Sequence, residues 1–213
     1  MWMMNEDEWL EKAHRDLSLG RHDLALNDCG HVLELNPDNL KAWEYKGDIF
    51  YELGRHQEAI ANYDEIISRY PGNLMALYKK GYTLRKIGKF EDAIACFDRA
   101  LEADPDFSYA LNDKGYALNG LERYREAIEY FDRSLEQNPR NIRVLTSKGI
   151  ALRELGDYKT SLEYFNKALE FNAINAFVFY NKSLTLRALG RNKEADECVS
   201  RINFPWVKKQ EKN

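Results

Sequence analysis

Residues 74–107 read LMALYKKGYTLRKIGKFEDAIACFDRALEADPDF. Within them Leu77, Gly81, Leu84 and Ile87 fall at i, i+4, i+7 and i+10, which is the apolar stripe of a helix. Gly88-Lys89 closes that helix, because glycine accommodates the left-handed turn at a helix end. Phe90, Ala93, Ile94, Phe97, Ala100 and Leu101 then repeat the helical period. Pro105 stops this second helix, since proline lacks an N–H and its ring crowds the preceding turn. The segment is a helical hairpin. Its small residues, Gly81 and Ala93, let the two axes approach, with Phe97 and Leu84 filling the space around them.

The same pattern recurs outward in both directions at a step of 34 residues: Pro37, Pro71, Pro105 and Pro139 keep it, and so do Gly47, Gly81, Gly115 and Gly149. Ala59, Ala93 and Ala127 follow, as do Tyr63, Phe97, Phe131 and Phe165. Several residue types sharing one period mark a repeat array. The grid gives six units, 6–39, 40–73, 74–107, 108–141, 142–175 and 176–209, with an extension at 1–5 and a charged tail at 210–213.

These residues resemble the tetratricopeptide repeat, whose 34-residue pattern runs W-x2-L-G-x2-Y and then A, F, A and P. The second unit carries it as Trp43, Gly47, Phe50, Ala59, Tyr63 and Pro71, the fourth as Leu111, Gly115, Leu118, Ala127, Phe131 and Pro139. Departures occur at Ala13 and Cys29 in the first unit, Ser161 and Ala173 in the fifth, and Ser183 and Val199 in the sixth. End units have one neighbour only, so their degeneracy fits the pattern. The resemblance implies an all-α fold, a right-handed α-solenoid of six antiparallel helix pairs, with the first helix of each pair lining a concave groove. It also implies a protein–protein interaction scaffold that holds a peptide or protein segment in that groove. The alternative is a nonenzymatic recruiting or regulatory subunit of a separate modifying enzyme complex.

Positions 2, 5, 6, 9, 12 and 13 of each unit avoid the buried stripe and should face the groove. Their charges sum to −4 over the first two units and +4 over the last four. Tyrosines crowd the same positions. The candidate groove residues are Tyr45, Tyr78, Lys79, Tyr82, Arg85, Tyr109, Asn112, Tyr116, Arg143, Arg153, Tyr180 and Asn181. Tyrosine offers a rigid amphipathic surface and arginine pairs carboxylates bidentately, so the expected ligand is acidic and partly apolar. The competing reading is a set of solvated helix faces. The family's carboxylate clamp for chaperone tails needs Lys and Asn in one unit, Asn in the next and Lys and Arg in a third. Glu44, Asp48, Lys79, Tyr109 and Asp113 do not match it, nor do Asn112, Tyr116, Ser147, Phe177 and Asn181.

Lys12, Lys46, Lys80, Lys114, Lys148 and Lys182 occupy position 7 of every unit. Such a ladder would suit a polyanion. A stem lying over the core with its ammonium reaching water explains it more simply, and a net charge of −4 argues against nucleic acid. No nucleotide, zincin or hydrolase motif occurs, and the four histidines all lie in the first two units. His22 and His56 take a position that is aromatic in other units, so packing is their expected role. Three scattered cysteines, Cys29, Cys96 and Cys198, make neither a disulfide framework nor a zinc site. We therefore expect no enzyme, no cofactor and no metal, and a chain ending after the sixth unit leaves no room for a catalytic domain.

Hydrophobic residues at 44% fill a core, charged residues at 31% exclude a fibre, and no apolar run approaches a bilayer span. The start is apolar and then acidic, the reverse of a secretory leader, so a cytoplasmic protein is expected. Trp2 and Trp206 flank the array and would either fold back as caps or drive homo-oligomer formation through apolar ends.

Overall fold

The computed structural model describes residues 4–202. Among them are twelve α-helices and no strand. They are α1 (Glu6–Ser18), α2 (His22–Leu35), α3 (Leu40–Glu52), α4 (His56–Arg69), α5 (Leu74–Lys86) and α6 (Phe90–Ala103), followed by α7 (Ser108–Gly120), α8 (Tyr124–Gln137), α9 (Ile142–Glu154), α10 (Tyr158–Phe171), α11 (Ala176–Ala188) and α12 (Asn192–Ser200). The chain is an all-α solenoid of helix pairs. It comprises two compact units, Met1–Ala110 and Leu111–Asn213.

Local chemistry sets the helix starts. Asn5, Asn39, Asn73, Asn141 and Asn175 each precede a first helix and accept a hydrogen bond from the backbone N–H three residues on. Each such cap satisfies one orphan donor and contributes about 1 kcal/mol. Phe107 stands at that place in the fourth pair. The tight link between the two helices of a pair needs a left-handed residue, supplied by Gly20, Gly54, Gly88, Gly156 and Gly190. In the fourth pair Glu122 takes it at φ 60°, the one non-glycine residue with positive φ among those described.

Tertiary packing follows one rule in each unit. The two helices of a pair pack against each other, and the second packs against the first helix of the next pair, α2 on α3 and α4 on α5 in one unit, α8 on α9 and α10 on α11 in the other. Gly47, Gly81, Gly115 and Gly149 lie directly under Tyr63, Phe97, Phe131 and Phe165. A β-carbon at any of the four would stand 2.5–2.7 Å from the facing ring. Those rings are themselves fully buried. Ser161, replacing the usual alanine, is buried but its hydroxyl donates to the Gly149 carbonyl at 2.7 Å, so the departure leaves no polar group unsatisfied.

Two outcomes follow. Replacing Glu122 with glycine removes a left-handed strain of about 1 kcal/mol and should raise the melting temperature by about 2–4 °C, read by circular dichroism. An unchanged or lower midpoint would contradict that assignment. The three thiols are buried, and burial pushes Cys29 up to about 12 and also raises Cys96 and Cys198. Ellman's reagent at pH 8 should therefore label none of them in the native protein within minutes and all three in denaturant.

Candidate functional site

In the first unit α3 and α5 carry a belt of half-buried aromatic rings. Tyr51 meets Tyr82 at 5.7 Å between ring centroids, Tyr82 meets Tyr78 at 5.9 Å, and Tyr78 meets Tyr109 at 5.4 Å. Phe107 closes the group, edge-on to Tyr78 at 5.8 Å. The spacing of Tyr78 and Tyr82 on successive turns of α5 puts them side by side, and the next pair begins where Phe107 and Tyr109 can join them. Tyr109 is 57% exposed, and Met75 beside it on the sequence register is exposed too. Arg85 and Lys86 lie over the Tyr82 ring at 5.1 and 5.6 Å. The belt is thus apolar along its rings, with two cations over Tyr82.

Lys79 is not an independent member of this surface. Its ammonium bonds both carboxylate oxygens of Asp48 at 2.7 Å, and the Tyr63 hydroxyl donates to the same carboxylate at 3.2 Å. Burial and the Asp48 charge push the Tyr63 phenol up, so it stays a donor. Asp48 therefore ties α3, α4 and α5 together. The charge contrast counted from the sequence is correspondingly smaller, because one of its cations and one of its anions neutralise each other. Tyr45 stacks on His14, with 3.2 Å between its hydroxyl and Nδ1, and Lys41 stands 5.8 Å from its ring.

The second unit distributes its candidates differently. Arg143 is exposed and lies over the Tyr116 ring at 5.2 Å. Asn112 accepts a hydrogen bond from Ser134 on α8, so it points toward its own pair's second helix. Arg153 donates to Asn181 at 3.1 Å and to Glu154 at 2.6 Å. Asn181 is only 4% exposed, with its amide donating to the Phe177 carbonyl, so it acts as a strut between α9 and α11. Tyr180 is half-buried against the core of the last pair.

Four of the position-7 lysines, Lys12, Lys80, Lys114 and Lys148, are held by second helices. Lys12 reaches Asp28 and Lys80 reaches Asp64, both at 2.6 Å. Lys114 meets the Tyr130 hydroxyl at 2.5 Å, Lys148 meets Asp132 and Tyr164, and Lys46 lies 5.1 Å over Trp43. Lys114 and Lys148 are 8% and 6% exposed, so these ammonium groups are bound inside rather than reaching out to water.

His56 packs on Tyr51 at 5.5 Å, and His22 lies 3.8 Å from Glu52. Among the described residues no group of three histidine, cysteine or carboxylate side chains could hold a metal, and no helix is long and apolar enough to cross a membrane. Trp2 and Trp206 lie outside the described residues. Sequence reasoning missed Asp48 as a junction and Tyr51 and Phe107 as belt members. Tyr51 holds one of the positions assigned to the groove, so a count of aromatic as well as charged side chains would have found it.

The tetratricopeptide repeat model matches residues 10–73, 78–142 and 113–176. A solved tetratricopeptide repeat protein from Parabacteroides merdae is similar at 22% identity and a TM-score of 0.82, covering 92% of this chain and 78% of its own. MamA from Desulfovibrio magneticus RS-1, a segment from residue 41 to the end, is similar at 23% identity and a TM-score of 0.76, covering 82% and 99%. Another MamA structure is similar at 22% identity and a TM-score of 0.74, covering 80% and 93%. At such identities the likeness concerns the fold alone. No curated protein matches the chain. With the family model spanning more than half of its length, the chain belongs to the tetratricopeptide repeat family.

Proposed function

We propose that the protein is an interaction scaffold that holds an acidic, partly apolar segment of another protein, with the belt on α3 and α5 as the principal contact. The carrying observation is the continuous ring surface of Tyr51, Tyr82, Tyr78 and Tyr109 with Arg85 and Lys86 over Tyr82. Tyrosines already locked against one another lose little side-chain entropy on binding, and the two cations select for a carboxylate neighbour. In the second unit Tyr116 with Arg143 repeats that pairing of ring and cation on a smaller scale.

The scaffold performs no chemistry of its own in this reading. A nucleophilic cysteine needs a depressed pKa and access, whereas the thiols here are buried and raised. Reduced, buried thiols also suit a cytoplasmic protein.

The test is an array of acetylated twelve-residue peptides that vary acidic and aromatic content independently, probed with the full chain. Peptides combining both should be retained, and retention should fall as salt rises from 50 to 500 mM, which are about 14 and 4 Å of screening length. The Arg85→Glu, Lys86→Glu double variant should lose most of it with an unchanged helical spectrum. Equal retention by that variant, or a preference for basic peptides, would refute the proposal.

A further inference from the structure

The lysine ladder supplies its own controls. Lys80 finds Asp64 sixteen residues back on the preceding second helix, Lys148 finds Asp132 by the same step, and Lys12 finds Asp28 sixteen residues forward. At the sixth rung the residue sixteen back is Asn166 and the residue sixteen forward is Cys198. Neither carries a negative charge that could hold the ammonium of Lys182.

Asn166 and Lys182 line one cleft of about 530 Å³ between α10, α11 and α12. Its apolar side is built from Leu162, Leu186 and Leu189, and Lys159 adds a second cation. Two carboxylates share the cleft. Glu194 is held by Arg191 through two hydrogen bonds of 2.7 Å and also feels the charge of Lys182, so the three cations of the cleft, Lys159, Lys182 and Arg191, face two carboxylates. Glu163 is exposed at the mouth. The local balance therefore favours one further negative charge beside the leucines.

We propose that this cleft binds a carboxylate carried next to an apolar side chain of a partner polypeptide, the incoming oxygen occupying the place that aspartate fills beside Lys12, Lys80 and Lys148. It lies on the second-helix side of the fifth and sixth pairs, apart from the belt on α3 and α5, and stands or falls separately from it. A side-chain carboxylate and a C-terminal carboxylate share the required chemistry. The volume suits a few residues of extended chain, and the leucines select against a bare anion.

The experiment uses the full chain with 13C-labelled lysine, the Lys182 ε-methylene signal being assigned by its loss in Lys182→Gln. Three probes are titrated: acetyl-Leu-Glu-Leu-amide, acetyl-Leu-Leu-Leu with a free carboxylate, and acetyl-Leu-Gln-Leu-amide. Either carboxylate peptide should shift Lys182 and Lys159 while Lys12, Lys80 and Lys148 stay still, and the tighter of the two identifies the source. The glutamine peptide should shift neither. Asn166→Asp, which restores the internal partner, should weaken the carboxylate peptides about fivefold, the upper range for a solvent-accessible ion pair. Equal shifts across all lysines, an equal response to the glutamine peptide, or undiminished affinity in Asn166→Asp would overturn the proposal.

Discussion

A glycine on each inner first helix lies under an aromatic ring of its paired helix, and the hairpin can close only because that glycine has no β-carbon. In a helix interior alanine is ordinarily favoured over glycine by about 1 kcal/mol. Four inner pairs nevertheless keep glycine, at Gly47, Gly81, Gly115 and Gly149, so the closeness of the rings outweighs the propensity. The outer pairs obey the same volume rule in reverse. Where the first helix carries Ala13 the second carries Cys29, and both are fully buried. Where it carries buried Ser183 the second carries the smaller Val199. In both end pairs a larger residue on the first helix is thus matched by a smaller one on the second.

Close pairing of the helices determines where charge can go. With the rings filling the space within a pair, long side chains are left to the seams between successive helices, and there they find partners. Asp48 accepts from Tyr63 within its own pair and from Lys79 on the next first helix. Most position-7 lysines meet acids or tyrosine hydroxyls of second helices. Buried cations that are bound in this way help fix which helix neighbours which, since a slipped register would leave an ammonium unpaired in a dry seam. The aromatic belt is the complementary case: its rings pack on one another rather than on charged partners, and Tyr109 remains exposed.

Much of the fold was legible because the 34-residue step is carried by residues with backbone or volume duties, and Gly81, Phe97 and Pro105 each say where a helix bends, packs or stops. The site was legible only in part. Tyr78, Tyr82, Arg85 and Tyr109 could be placed on one face by position alone. The pairing of Lys79 with Asp48 could not, because it joins residues 31 apart on adjacent first helices whose register is fixed by stacking. Asn181 reads as a polar groove residue but is buried as a strut with Arg153, since a small amide fits a seam that tyrosine would not. Glu122 escaped notice because Gly120 stands two residues away and offers itself as the turn residue, although the backbone reverses at the position the step itself specifies.

The measurement that bears most directly on this account is a double-mutant cycle at Gly81 and Phe97 followed by denaturant unfolding. Gly81→Ala should destabilise by about 1–3 kcal/mol, opposite in sign to its helix propensity, because its β-carbon is built 2.7 Å from the Phe97 ring. Phe97→Leu alone should also destabilise by opening a void. Combined, the two should cost at least about 1 kcal/mol less than their separate effects together, as the alanine fills the space the ring vacates. A stabilising Gly81→Ala, or effects that add within about 0.5 kcal/mol, would contradict the claim that this contact governs how the helix pairs close.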